Sequence, residues 1–204
     1  MLSRRKMEAL CASLLFCLLL SLGAGWAQSQ LTIADQLAAD TLRLHIRADT
    51  NAVRDQSAKL AVRDAVLALA DESCPADGKA DAKVWAASNL VRLELTAREV
   101  LAARGIHAPV HACLVNMYFP TRRYAGAALP AGRYDAVRLD IGTHRPGRNW
   151  WCVLYPGLCR AACGSYALPQ ENDLICGEYI VRFRLVDFVQ SHCAPQQDQI
   201  LLRP

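Results

Sequence analysis

Leu42-Arg43-Leu44-His45-Ile46-Arg47 alternates apolar and polar side chains without a break. Successive side chains of a strand point to opposite faces. A period of two therefore predicts a half-buried strand, with Leu42, Leu44 and Ile46 on a core and Arg43, His45 and Arg47 on a polar face. Asp49-Thr50-Asn51 supplies turn chemistry directly after it. His45 reads as a surface or hydrogen-bonded histidine, because one imidazole alone makes no metal site.

Outward from this strand the period changes. Between Val53 and Asp71, Ala58, Ala61, Val62, Ala65, Val66 and Leu69 recur at spacings of three and four, an apolar stripe for one face of a helix. Arg54, Asp55, Lys59, Arg63 and Asp64 lie largely off the stripe and read as a solvated face. Asp55 and Lys59 form a favourable pair worth about 0.3 kcal/mol, whereas Lys59 and Arg63 are like charges four residues apart. Pro75 and Gly78 mark a loop. A second helix is expected from Ala82 to Arg104, with Leu90, Leu93, Ala97, Val100 and Leu101 inward and Gly105 as a positive-φ cap.

A hairpin follows. Val110–Phe119 is rich in β-formers and stops at Pro120. Asp135–Gly142 sets Val137, Leu139 and Ile141 against Arg138 and Asp140. Leu129-Pro130-Ala131-Gly132 is turn material, and Thr121–Arg133 is a surface excursion bearing Arg122, Arg123, Tyr124 and Arg133. A docking face and a solvated basic loop fit this composition equally well.

Asn149-Trp150-Trp151-Cys152-Val153-Leu154-Tyr155-Pro156-Gly157-Leu158-Cys159 combines adjacent tryptophans, a Pro-Gly turn and two cysteines. On a strand, Trp150 and Trp151 would face opposite ways, and both would be buried only under double cover. The turn would bring Cys152 and Cys159 back within reach of a disulfide. A stapled loop with tryptophan plugs is one reading. An aromatic docking loop is the other, and Arg145, Arg148 and Arg160 nearby lean toward it. Residues 178–190 fit a helix and also a strand; helix is the choice. The tail after Ser191 is polar and expected to fray.

The N-terminus carries Arg4-Arg5-Lys6, then an apolar run of 19 residues from Ala9 to Ala27 that ends in Gly25-Trp26-Ala27. This predicts a signal peptide over residues 1–27, cut after Ala27, with an uncleaved anchor as the alternative. Residues 28–40 read as a short amphipathic lead-in, 41–190 as one domain and 191–204 as a tail. The fold class is α+β: a small antiparallel sheet with helices packed on it and a disulfide-stapled C-terminal loop region.

The formal net charge of +4 falls to +2 without residues 1–27, which hold Arg4, Arg5, Lys6 and Glu8. That is too weak to argue for nucleic acid. Seven of the nine cysteines lie beyond the signal region, an odd number, and disulfides are the default for an exported chain. Cys113 sits in an apolar strand as a buried thiol. The pair Cys159 and Cys163 has zinc spacing but no second pair follows, so no metal is expected. No phosphate loop, nucleophile elbow or zinc-protease motif is present, and no catalytic residue, cofactor or small-molecule substrate is assigned. Three classes stay open on the residues: a protein ligand for a membrane partner, a wall or carbohydrate binder stacking sugars on Trp150 and Trp151, and a cryptic Cys/His hydrolase.

Several long motifs, in order, resemble the stage II sporulation protein R family. They are Leu44-His45-Ile46-Arg47-Ala48, Lys59-Leu60-Ala61-Val62-Arg63-Asp64-Ala65-Val66, Phe119-Pro120-Thr121-Arg122-Arg123-Tyr124, Leu129 to Gly142, and Asn149 to Cys159. The resemblance covers residues 41–190. It departs at Gly157, where a second proline is expected. The resemblance implies a non-catalytic signal made in the forespore and exported into the space between the two cells. Its implied partner is a membrane-embedded aspartic protease of the mother cell, which cleaves the precursor of an early sigma factor, sigma-E. Arg122, Arg123, Tyr124, Arg145, Arg148, Trp150 and Trp151 are then the candidate contact residues.

Overall fold

The computed structural model describes residues 4–74, 77–124, 127–143, 147–156, 186, 188–192 and 197–204, with backbone alone at 123, 124, 127 and 128. The elements are α1 (Arg4–Asp40), β1 (Leu42–Arg47), α2 (Val53–Ser73), α3 (Lys79–Ser88), α4 (Leu90–Ala102), β2 (Val110–Phe119), β3 (Arg122–Tyr124), β4 (Ala127–Leu129), β5 (Gly132–Ile141), β6 (Asn149–Tyr155) and β7 (Gln199–Leu202). Five strands make one sheet in the order β6-β1-β5-β2-β7, and β3 pairs with β4 in a separate ribbon.

The α+β class holds, but the sheet is mixed. β1 runs parallel to β5, with Leu44 opposite Val137, and antiparallel to β6. β5 is antiparallel to β2, and β2 to β7. Parallel neighbours need a crossover connection. Here the chain leaves β1, passes through α2, α3 and α4, and enters β2, leaving a gap that β5 fills on its return.

Each face of the sheet has its own core. On one face, Leu42, Leu44 and Ile46 pack with Val137, Leu139, Val110, Ala112 and Leu114 against α2 (Val62, Val66), α3 (Trp85) and α4 (Leu90, Leu93, Leu101). On the other, Val115, Phe119, Tyr134, Ala136 and Val153 pack against Ala34 and Leu37 of α1, Leu129 of β4 and Val186. Double cover corrects two expectations. The polar face of β1 is not open: Arg43 is fully buried and His45 is 3% exposed. The lead-in over residues 28–40 is a structural part of the domain, because its apolar side closes the second face.

The expected second helix is broken. Asn89 donates its side-chain Nδ2 to the Trp85 carbonyl at 2.8 Å, competing with the backbone ladder, and α3 ends there. Gly105 has φ +66, as a cap requires. The polar tail is also corrected: residues 199–202 form β7, whose register sets Ile200 against Val115, and Asp198 pairs with Arg138 at 3.0 Å. β2 extends beyond β7, and α4 blunts that exposed edge. Glu94 Oε1 accepts the Ala112 amide at 2.8 Å, and Arg98 donates to the Val110 carbonyl at 3.1 Å.

One polar cluster ties the layers together. Asp135 accepts from Lys83 at 3.0 Å and from Asn116 at 2.9 Å, and pairs with Lys79 at 3.3 Å. Lys79 also donates to the Ala38 carbonyl at the end of α1. Burial raises the Asp135 pKa, but the Asn116 and lysine contacts outweigh it, and the net direction is down. Of the segment 178–190, residues 186 and 188–190 are described and helical; the rest lies outside the described residues.

Candidate functional site

The two tryptophans fall on β6, the edge strand of the sheet among the described residues. Strand alternation sends them to opposite faces, as their adjacency requires. Trp150 packs beside the helical core, opposite Ile46, and the Arg63 guanidinium of α2 lies 4.5 Å from its ring centre. Trp151 lies on the second face, opposite His45. Its ring is 5.8 Å from the His45 ring and 6.1 Å from Phe119, and Arg122 stacks over it at 3.8 Å. Both tryptophans are half-buried. Each carries an arginine on its outer side, a cation–π contact worth about 0.5–1 kcal/mol at an exposed site.

Below Trp151 the second face is a stack of rings and cations. Phe119 meets Tyr134 edge-on at 5.8 Å, and the Arg43 guanidinium sits 4.2 Å over Phe119 and 5.0 Å over Tyr134. The Tyr134 hydroxyl donates to the Pro130 carbonyl at 2.8 Å, fixing the turn before β5. His45 is held neutral: desolvation lowers its pKa to about 3, Asn149 pulls the other way, and Arg47, Arg138 and Arg43 lower it further. Arg47 and Arg138 share Asp140 at 3.3 and 3.2 Å.

The segment leading into β6 is clamped to the β1–α2 turn. The Arg148 amide donates to Asn51 Oδ1 at 2.8 Å, and the Gly147 amide to the Ala48 carbonyl at 2.8 Å. Lys59, 4% exposed, donates to the Arg148 carbonyl at 2.9 Å and to Gln56 Oε1 at 2.7 Å. Two glycines allow this fit. A Cβ on Gly142, which has φ +79, would meet Asp49 at 2.0 Å; one on Gly147 would meet the Thr50 carbonyl at 2.1 Å. Lys59 therefore leaves the solvated face on which its spacing placed it. Burial lowers its pKa, helped by Arg148 and Arg63.

Of the expected contact residues, Arg122 and Trp151 come together directly. Trp150 and the exposed Arg148 lie on the same strand and its approach. Arg123 and Tyr124 are in β3, and Arg145 lies outside the described residues. Cys152 is buried on the helical face and is not a free thiol, whereas Cys11, Cys17 and Cys113 are free thiols among the described residues. Cys159, Cys163, Cys176 and Cys193 lie outside the described residues. Arg63, Lys59 and Asn51 lie beside the tryptophan strand, although their spacing and type read only as a solvated face and a turn. Their signal was the like-charge pair Lys59 and Arg63, unfavourable on a bare helix and relieved here by separate partners. No cluster of three or more His, Cys, Asp or Glu suited to a metal occurs among the described residues. A cleft of about 400 Å³ bordered by Glu94, Arg98, His111 and Arg203 lies at the other edge of the sheet, on the β2 side.

These features define a helix-led α+β domain with an arginine-capped tryptophan strand at one edge. The chain belongs to the stage II sporulation protein R family, whose profile matches residues 38–164. It is similar to "Stage II sporulation protein R" of Bacillus subtilis (strain 168), 31% identical over 119 residues. That match takes in 58% of this chain and 53% of the relative, so the chain spans about half the length of the curated relative it matches. No solved structure matches.

Proposed function

We propose that this chain is an exported, non-catalytic sporulation signal that activates a membrane-embedded aspartic protease of the mother cell. The protease then processes the precursor of sigma-E. Family membership over residues 38–164 carries this reading. The apolar N-terminal helix, long enough to cross a membrane, supports export. In mechanism, the domain binds the active state of the protease more tightly than the inactive state and so shifts the population toward it.

The contact is assigned to the β6 edge and its approach: Trp150 with Arg148, the Arg122 cap on Trp151, and Arg123, Tyr124 and Arg145 in the neighbouring segments. Tryptophan offers a large rigid area, and arginine offers a forked donor for carboxylates. The reading of Trp150 and Trp151 as paired sugar platforms loses support, since the rings face opposite sides of a sheet and each is covered by a guanidinium.

Co-expression with the candidate protease and the sigma-factor precursor, with and without this chain, is the test. Processing is expected only with all three present. Cleavage of the precursor by this protein alone would overturn the activator reading and restore the hydrolase.

A further inference from the structure

The helix that carries the apolar run does not end with it. α1 continues without a break from Arg4 to Asp40. Residues 4–26 are exposed, and from Gln30 onward the same helix packs into the domain through Gln30, Ala34 and Leu37. Its far end is tied down by the Lys79 bond to the Ala38 carbonyl and by the Thr41 hydroxyl, which donates to the Leu37 carbonyl at 2.6 Å. The membrane-length segment and the segment packed into the domain core are one continuous helix.

We propose that α1 is retained as a membrane anchor and seats the folded domain directly on the outer surface of the bilayer. The occupant of the exposed apolar surface is lipid, and four observations support that choice. First, the uncharged run from Ala9 to Ala27 has 19 residues. That lies within the range of a spanning helix, at about 28 Å. Second, its two hydroxyls are satisfied inside the helix, as hydrocarbon demands: Ser13 donates to the Leu10 carbonyl and Ser21 to the Cys17 carbonyl, both at 2.9 Å. Third, Arg4, Arg5 and Lys6 mark the inner end and Trp26 the outer end, the usual placement of cations and interfacial aromatics. Fourth, Gly25–Ala27, the stretch a signal peptidase would read, is helical, whereas proteolytic sites are exposed flexible segments.

Only two residues separate Ala27 from the buried Gln30, a rise of about 4.5 Å between them. There is no flexible linker. The anchor therefore fixes both the height and the tilt of the domain over the membrane, and the chain acts on partners in or close against a membrane rather than by diffusion. This inference rests on the export part of the proposed function.

The full chain would be produced in a secreting bacterium, and membranes washed with alkaline carbonate. The expected result is an intact chain beginning in residues 1–27, held in the membrane pellet, with its domain digested by protease added from the outside. A second chain carries a Gly/Ser linker of about ten residues after Ala27, a length that behaves as a flexible coil. Limited proteolysis should release the domain from this variant at protease doses that leave the native junction intact. Soluble native protein starting at Gln28 would overturn the anchor, and equal cutting of the two junctions would overturn the seating. A domain shielded from external protease would overturn the orientation and the export reading together. Anchored chain without precursor processing would sink the activator reading alone, whereas processing by released soluble domain would sink the anchor alone.

Discussion

Trp151 is held on several sides by His45, Phe119 and Arg122, whereas Trp150 sits between the helical core and Arg63. The two should separate on mutation. Trp151→Ala opens a cavity in the second core and is expected to cost about 3 kcal/mol, read as a fall in denaturation midpoint. Trp150→Ala together with Arg148→Ala should leave most of the stability and reduce precursor processing in the co-expression assay. Wild-type processing by that double variant would remove the contact role from this edge. His45 carries a pH signature. Its folded pKa of about 3 lies below the unfolded value of 6.5, so the unfolded chain binds the extra proton between these values. Stability is then lost as pH falls from 6.5 toward 3, by roughly 4–5 kcal/mol from this group. His45→Leu should flatten the urea-unfolding profile across that range, leaving the acid loss due to Asp135, whose folded pKa is lowered from 3.8 and whose contribution is lost only below that value. An unchanged slope would mean that another group dominates.

At the scale of elements, α1 and the glycine-clamped approach to β6 are the sensitive parts. Leu37 is fully buried on the second face. Leu37→Ala should destabilise the domain by about 2–5 kcal/mol, checked by chemical denaturation. A near-zero effect would return residues 28–40 to the status of a lead-in. The staple remains a separate expectation: non-reducing peptide mapping should link Cys152 to Cys159, and a free thiol at Cys159 would exclude it. Much of this level was legible. The β1 alternation, the α2 stripe, the β2–β5 hairpin and the Gly105 cap follow from period and turn chemistry. Alternation alone cannot say whether a polar row faces water. Arg43 and His45 are polar yet buried because α1 and the β4 segment cover them, elements distant in sequence. β7 escaped notice for a similar reason: Gln199–Leu202 is too short to show a period and is a strand only beside β2. Residue types drew attention to Trp150 and Trp151, but their arginine caps depend on α2 and β3, which lie far from β6 in sequence.

For the molecule as a whole, the sheet order decides how the parts depend on one another. β1 lies near the start of the domain, and its two neighbours are β5, beginning at Gly132, and β6, beginning at Asn149. Neither neighbour is close to it in sequence. Contacts across such separations must overcome loop-closure entropy before they repay it, and they slow folding. An emerging N-terminal half can form α2, α3 and α4 as local helices, but the strand beneath them has no partner until β5, ending at Ile141, has arrived, and its second partner, β6, follows at Asn149–Tyr155. Under the export proposed above, the same topology would keep the sheet open while the chain is threaded across a membrane. The sheet is complete only once β7, at Gln199–Leu202, has joined β2.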